Sequence, residues 1–281
     1  MLIKEICARL ADEEWSLIDL TLKQFSLPRS DSWNGPKEAY VIDMTGDASD
    51  EVLIDLAQHL GFSLQGTRSR LEPLFWRKGM LRVFVTHLAA HRGPAAELQT
   101  ELLNFGISCF VAHNDIEPTL EWQTEIETAL ATCDVLVALL HKDFHVSKWT
   151  DQEIGFAMGR GVPAFAIRFG EDPYGFIGRF QAFNGSDKTV GDIAGELFDA
   201  MRKNKQTERK MAEALVGLFE SSDTFAEAKT RMGFLEGITS WDRSFSTRIR
   251  SAVQSNSQIS GSWGVPDRAN TLLQKWAKSG V

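Results

Sequence analysis

The sequence predicts an α/β domain built on a five-stranded parallel sheet, with all-helical segments before and after it. Short apolar, β-branched runs alternate with helical patterns between residues 81 and 203, and the patterns outside that block are purely helical. Such alternation is typical of a parallel sheet covered by helices on both faces. We therefore expect three regions: a helical N-terminal region at 1–78, the α/β domain at 79–203 and a helical C-terminal region at 204–281.

The N-terminal region is predicted to be helical because its apolar residues recur every three or four positions. The spacing indicates helices at 2–10, 15–25 and 52–60. Pro28 and Gly61 follow the second and third of these, as is common after a helix end. Residues 66–79 are mixed, basic and aromatic, and we interpret them as a linker or docking strip.

The middle region alternates between the apolar spacing of strands and that of helices. The expected strands are 81–87, 107–113, 135–140, 163–169 and a short fifth strand at 181–183. Helical patterns lie between and after them at 95–103, 122–130, 149–159 and 190–201. A block of about 120 residues is the size of one flavodoxin-like domain.

The C-terminal region returns to helical spacing. The expected helices are 208–219, 225–232, 241–253 and 268–277. Residues 255–266 are rich in Ser and Gly, and we interpret them as a loop.

The composition narrows the classes of function. A net charge of -8 does not favour nucleic-acid binding through phosphate neutralisation. The three cysteines are too few and too scattered for a disulfide scaffold or a metal site, and no apolar run approaches the length that crosses a bilayer. A glycine-rich phosphate loop is also absent from the sequence, which argues against a dinucleotide-dependent redox enzyme. We therefore expect a cytoplasmic protein without a bound metal, a nucleic-acid partner or membrane contact.

The pair Trp149 and Glu153 is the most informative local feature. It follows the apolar run 135–140, and a helix places residues four apart on one face. Open α/β sheets bind ligands outside the carboxyl ends of their strands, where this helix would begin. An aromatic ring and a carboxylate there can hold a nucleotide or a sugar. Thr150 and Glu153 also match a capping box, in which Glu153 only closes a helix start.

Five short motifs follow one another in a specific order across the middle region. They are a first-strand box at 83–87, a second strand with its loop at 110–122, a helix entering the third strand at 125–135, Trp-x-x-x-Glu at 149–153 and Gly-Arg-Gly-Val-Pro at 159–163. In this order they resemble a TIR domain (Toll/interleukin-1 receptor type) of the bacterial, NAD-cleaving kind. The resemblance covers about residues 81–203.

The resemblance implies cleavage of the bond between nicotinamide and ribose in NAD+, with Glu153 as the catalytic carboxylate. NAD+ would be the substrate rather than a cofactor, and the products would be nicotinamide and ADP-ribose or a cyclic ADP-ribose isomer. A carboxylate near the ribose stabilises an oxocarbenium-like state, as in glycoside hydrolysis. The resemblance also implies homo-oligomers formed through the TIR domain, helical flanks that control assembly or sensing, and anti-phage defence signalling switched on by a phage-derived or protein activator.

Other residues are expected at the substrate. The set is Trp149, Thr86, His87, Asp115 and Trp122, the last two lying in or just after the loop that follows the second strand, called the BB loop. Simpler alternatives remain open: Trp149 and Trp122 as core aromatics, His87 as an exposed loop histidine, and Asp115 as a turn residue. The aromatic turn at 172–176 either walls the pocket or packs the sheet edge.

Two further functions remain open. The TIR block can act as a non-catalytic assembly adaptor, with Glu153 serving only as a helix cap. A nucleoside deoxyribosyltransferase-like enzyme shares a related α/β layout and a catalytic glutamate.

Overall fold

The computed structural model describes residues 2–30, 32–48, 50–61, 73, 75–111 and 120–278. The chain forms two compact units, Met1–Glu72 and Pro73–Val281. Among the described residues, none of the helices combines the length and the apolar character needed to cross a membrane.

Four helices lie in the described part of the first unit. They are α1 (Leu2–Ala11), α2 (Trp15–Gln24), α3 (Lys37–Thr45) and α4 (Asp50–His59). Apolar side chains from all four form one core, which includes Ile6, Leu10, Ile18, Leu22, Tyr40, Val41, Leu53 and Leu56. The Tyr40 hydroxyl donates a hydrogen bond to Asp19 Oδ1 at 2.6 Å and so joins α3 to α2.

The second unit contains the predicted sheet. Its strands are β1 (Leu81–Thr86), β2 (Ile107–Val111), β3 (Val135–His141), β4 (Ala164–Phe169) and β5 (Phe183–Asn184). They lie in the order β2-β1-β3-β4-β5, and every neighbouring pair is parallel. The five-stranded parallel sheet expected for a flavodoxin-like TIR fold is therefore confirmed, although β5 is shorter than expected and lies slightly later in the chain.

Helices cover both faces of this sheet. They are α5 (Arg92–Leu103), α6 (Leu120–Thr132), α7 (Thr150–Gly159) and α8 (Val190–Lys203). Side chains of α5 and α8 pack with Val83 and Val85 of β1, whereas side chains of α6 and α7 pack with Phe84 on the opposite face. This alternation along β1 reflects the two-residue period of a strand. The same alternation determines which residues at the ends of the strands face α7.

The helices after residue 203 share a core with the sheet. They are α9 (Glu208–Glu220), α10 (Phe225–Glu236), α11 (Arg243–Ser255), α12 (Ser257–Ser260) and α13 (Val265–Lys278). Met211, Leu215 and Phe219 of α9 belong to the same apolar cluster as Val83 and Val85. The C-terminal helices and the α/β domain therefore form one compact unit.

The segment before β1 also packs onto the second unit. Trp76 is buried, and its indole Nε1 donates a hydrogen bond to Thr132 Oγ1 at 2.8 Å. Phe75 packs against the ring of Phe110, with ring centroids 4.9 Å apart. The described part of the expected linker thus contributes to the core beneath α6.

Gly185, just after β5, is expected to resist substitution because a side chain there would strike the sheet. A Cβ atom would lie 2.5 Å from Phe169 Cε1 and 2.8 Å from Ile167 Cγ2. The Phe169 ring is held in a stack with His141, with centroids 4.4 Å apart. We expect Gly185→Ala to lower the free energy of unfolding by about 1–3 kcal/mol, measured by urea unfolding. Gly195→Ala is the control, because a Cβ atom there meets nothing within 4 Å; equal losses in both variants would contradict the steric argument.

Candidate active site

Glu153 lies in the first turns of α7, which begins shortly after β3 ends. A short 3-10 helix, Phe144–Val146, separates the two elements. The Thr150 hydroxyl donates a hydrogen bond to the Phe144 carbonyl oxygen at 3.1 Å and fixes the start of α7 against this turn. Thr150, Glu153, Ile154 and Ala157 form the buried side of the helix. The Glu153 carboxyl therefore points toward the sheet rather than into open solvent.

Burial dominates the electrostatics of this carboxyl. Glu153 is 7% exposed, and desolvation raises its pKa from 4.5 to about 7. The nearby Thr86 hydroxyl opposes this effect and lowers the pKa. Among the described residues, no charged neighbour contributes to the shift. Near neutral pH the carboxyl therefore exchanges readily between its neutral and ionised forms.

The capping-box alternative is not formed. Trp149 is the residue at the N-cap position of α7, and its side chain makes no capping hydrogen bond. Thr150 lies inside the helix, and its hydroxyl donates to the Phe144 and Ser147 carbonyl oxygens instead of accepting from a backbone amide. The local sequence matches the capping pattern, but Thr150 is buried against the preceding turn. The two reciprocal hydrogen bonds of a capping box therefore do not form between Thr150 and Glu153. Glu153 does not close the helix start.

Trp149 directly precedes α7 and is 43% exposed. Its carbonyl oxygen accepts the first-turn hydrogen bond from the Glu153 amide at 2.9 Å, so the two residues are one turn apart as predicted. The alternative of a core aromatic is wrong, because nearly half of the side chain faces solvent. Stacking of this ring on a ligand stays a prediction.

Thr86 is the last residue of β1, and His87 follows it directly. Thr86 is 1% exposed and follows Phe84 on the face covered by α6 and α7, where it meets Glu153. His87 is 6% exposed, and its Nδ1 lies 3.2 Å from the Val85 carbonyl oxygen. The alternative of an exposed loop histidine is therefore wrong for His87. Thr86 is the residue of this pair that lowers the pKa of Glu153.

The remaining expected substrate residues are only partly described. Asp115 lies outside the described residues. Trp122 belongs to the first turn of α6, and its side chain is outside the described part of the chain. Contact of either side chain with a substrate stays a prediction.

A stack of two histidines and a phenylalanine was missed by the sequence reasoning. The rings of His91 and His141 lie 3.5 Å apart at an interplanar angle of 10°, and Phe169 stacks on the other side of His141. Burial lowers the pKa of His141 to about 4, with further contributions from His91 and His87. His141 ends β3 as His87 follows β1, so the rule that strand ends carry ligand-binding residues would have singled it out.

The aromatic turn at 172–176 walls a cavity. The cavity measures about 510 Å³ and is lined by Asp151, Ile154, Tyr174, Gly175 and Phe176. The Tyr174 hydroxyl donates a hydrogen bond to Asp151 Oδ1 at 2.7 Å across it. Asp151 lies on a different side of α7 from Glu153, and Glu153 does not line this cavity. Within the described ranges, no cluster of three or more His, Cys, Asp or Glu side chains is arranged for a metal ion.

Comparison with known proteins gives one result that bears on this site. The family model of the TIR domain matches residues 83–197. No curated protein sequence matches the chain. The matched segment contains β2 to β5 and α7 completely and all of β1 except its first two residues, so it includes Thr86, Trp149 and Glu153. The chain therefore contains a TIR domain at residues 83–197, and the buried Glu153 carboxyl lies within it.

Proposed function

We propose that this protein cleaves the bond between nicotinamide and ribose in NAD+, with Glu153 as the catalytic carboxylate. The observation that carries the proposal is the buried carboxyl of Glu153, held by α7 beside the carboxyl end of β1 in a TIR domain. A carboxyl whose pKa is strongly displaced by burial is a frequent mark of a functional site. The environment of Glu153 is unlike that of a carboxylate in a structural ion pair, because desolvation is what raises its pKa.

The chemistry requires an anion more than it requires an acid. The nicotinamide ring of NAD+ is a cationic leaving group, so it departs with the electron pair of the C–N bond and needs no proton. Positive charge then develops on the ribose, and an adjacent carboxylate stabilises it electrostatically. Water attacks the anomeric carbon and loses a proton to solvent, which gives ADP-ribose; attack by a group of the substrate itself gives a cyclic isomer.

The raised pKa of Glu153 is compatible with this role. At about 7 it leaves a substantial ionised fraction at neutral pH. A pyridinium ring bound nearby favours the ionised form further, because an opposite charge stabilises a carboxylate. Substrate binding would therefore complete the ionisation of the catalytic group. NAD+ acts here as substrate, and the proposal requires no cofactor.

Exposed apolar side chains on and beside α7 support self-association. Trp149 and Phe156 lie two turns apart on its outer surface, and Val146 precedes them. Such a surface suits a homo-oligomer formed through the TIR domain, and it also suits the alternative function of a non-catalytic adaptor. A cytoplasmic location, a phage-derived or protein activator and a role in anti-phage defence follow from the resemblance to bacterial TIR proteins and belong to the same proposal.

The test is incubation of concentrated full-length protein with NAD+, with a crowding agent, followed by liquid chromatography and mass spectrometry of the products. Wild type is expected to release nicotinamide, and the mass and retention of the second product separate ADP-ribose from cyclic isomers. Glu153→Gln should release none. Glu97→Gln, which changes an exposed carboxylate on α5, is the matched control and should behave as wild type.

The alternatives give different results in the same experiment. An adaptor releases no nicotinamide at any concentration but still self-associates, which light scattering detects. A deoxyribosyltransferase-like enzyme leaves NAD+ intact and exchanges bases between deoxynucleosides. Nicotinamide release at equal rates from wild type and Glu153→Gln would remove Glu153 from the mechanism.

A further inference from the structure

Thr86 has an unusual environment for a hydroxyl side chain. It is the last residue of β1, pairs with Ala138 of β3 and is 1% exposed. Its side chain lies on the sheet face that α6 and α7 cover, as the position of Phe84 two residues earlier requires. Because so little of it reaches the surface, Thr86 is poorly placed to touch a substrate directly.

The Thr86 hydroxyl is also unsatisfied. Its Oγ1 atom is buried and makes no full hydrogen bond to any of the described residues. Buried polar atoms without partners are rare in folded proteins, and each calls for an explanation. The neighbour that supplies one is the Glu153 carboxyl, which lies on the buried side of α7 that packs over this face of β1 and whose pKa the hydroxyl lowers. An ionised carboxylate is a strong acceptor for a spare hydroxyl donor.

We propose that Thr86 is a positioning residue whose hydroxyl donates a hydrogen bond to the ionised Glu153 carboxylate and holds it in the orientation that faces the ribose. This inference rests on the proposed NAD+ cleavage. A neutral Glu153 carboxyl is a weaker acceptor for this hydroxyl than the carboxylate is. When Glu153 loses its proton, the hydroxyl turns to it and stabilises the charge that burial opposes.

The proposal predicts a specific change in pH dependence. Thr86→Val replaces the hydroxyl with a methyl group of nearly the same size, so the pKa of Glu153 should rise above its value of about 7 in the wild type. For a rise of about one unit, the ionised fraction at pH 7 falls about fivefold and is almost restored at pH 9. The rate of nicotinamide release should follow the same course. Thr86→Ser keeps the donor and should retain the wild-type pH profile.

A control variant and the shape of the pH profile separate this effect from structural damage. Thr100→Val makes the same chemical change at an exposed position on α5 and should alter nothing. A purely structural role for Thr86 would lower activity equally at all pH values. An unchanged pH profile in Thr86→Val, with folding intact, would overturn the proposal.

A second measurement does not depend on activity. In full-length protein without NAD+, the side-chain carboxyl carbon of Glu153 can be titrated by 13C NMR, with Glu153→Gln used to assign its signal. We expect the signal to titrate at higher pH in Thr86→Val, and in Thr86→Ala where valine does not fold. Absence of NAD+ cleavage in the wild type would reject the proposed function alone, whereas equal titration of Glu153 in the variants and the wild type would reject the role of Thr86.

Discussion

Glu153→Gln is expected to abolish nicotinamide release and, at the same time, to make the protein more stable. Loss of one electrostatic group that stabilises transition-state charge typically lowers the rate by about 100- to 1000-fold. The gain in stability has a separate cause. Burial raises the pKa of Glu153 from 4.5 to about 7, so the folded protein holds a carboxyl in surroundings that oppose its charge. Glutamine has nearly the same shape and carries no charge to desolvate.

The gain in stability of Glu153→Gln over the wild type should grow as the pH rises. The pKa of Glu153 is higher in the folded chain than in the unfolded chain, so the unfolded chain releases the proton first as the pH rises. Between pH 4.5 and about 7, ionisation therefore stabilises the unfolded state more than the folded state, and the wild type loses stability. A pKa difference of this size corresponds to about 3 kcal/mol. Above pH 7 the penalty stays nearly constant.

Urea unfolding at pH 5 and pH 8 measures this difference. The free energy of unfolding of Glu153→Gln should exceed that of the wild type at pH 8 and approach it at pH 5, whereas Glu97→Gln should match the wild type at both. A structural helix cap predicts the opposite sign, because removing a cap destabilises a helix. A Glu153→Gln variant that is less stable than the wild type at pH 8 would therefore count against a buried, functionally retained carboxylate.

The sheet was predictable from sequence because its strands are nearly continuous apolar runs. Val135–His141 is the clearest case: all but its last residue are buried, as is usual for a strand with helices on both faces. β5 was placed less well because it pairs through only two residues, Phe183 and Asn184. So short a strand depends on its neighbour β4 more than on its own sequence pattern.

Two helices were missed for different physical reasons. In α3, Ile42 is exposed between buried Val41 and Met44, so the apolar residues form no clean stripe for a helical period to detect. α12 is a single turn, Ser257–Ser260, in a stretch rich in Ser and Gly, and it forms because the Asn256 side chain accepts a hydrogen bond from the Gln258 amide. Both helices depend on contacts that spacing alone does not encode.

The candidate site also combines features that the sequence predicts with features that it does not. The position of Glu153 one turn after Trp149 was predictable, because residues four apart share a helix face. The burial of its carboxyl and the raised pKa were not, since they require α7 to lie over the end of β1. The capping box was the local interpretation of Thr150 and Glu153, and packing against Phe144 excluded it.

Asp134 is expected to contribute more to stability than any surface charge of the TIR domain. Only 9% of its side chain is exposed, at the start of β3. It accepts hydrogen bonds from Arg82 Nη2 at 3.1 Å and from Lys210 Nζ at 2.5 Å. Lys210 belongs to α9, outside the segment matched by the TIR family model, so this carboxylate joins the C-terminal helices to the sheet.

Asp134→Ala should therefore lower the free energy of unfolding by about 3 kcal/mol, because it leaves a partly buried arginine without its anion. Asp172→Ala is the control. Its side chain is 79% exposed and pairs with Arg168 at the surface, where such pairs contribute about 1 kcal/mol or less. Urea unfolding at pH 7 compares the two variants. Equal losses would show that the link to α9 contributes no more than a surface pair.

Lowering the pH should remove the difference in stability between the wild type and Asp134→Ala. Burial opposes ionisation of Asp134, but the hydrogen bonds from Arg82 and Lys210 outweigh it and lower its pKa below 3.8. A carboxyl with a lowered pKa stabilises the folded chain at pH values above its unfolded pKa, and that contribution is lost as the pH falls through the folded pKa. The gap between wild type and Asp134→Ala should therefore be complete at pH 7 and shrink in acid below about pH 4. A gap that persists unchanged in strong acid would assign the effect to lost packing rather than to the charge that ties α9 to the sheet.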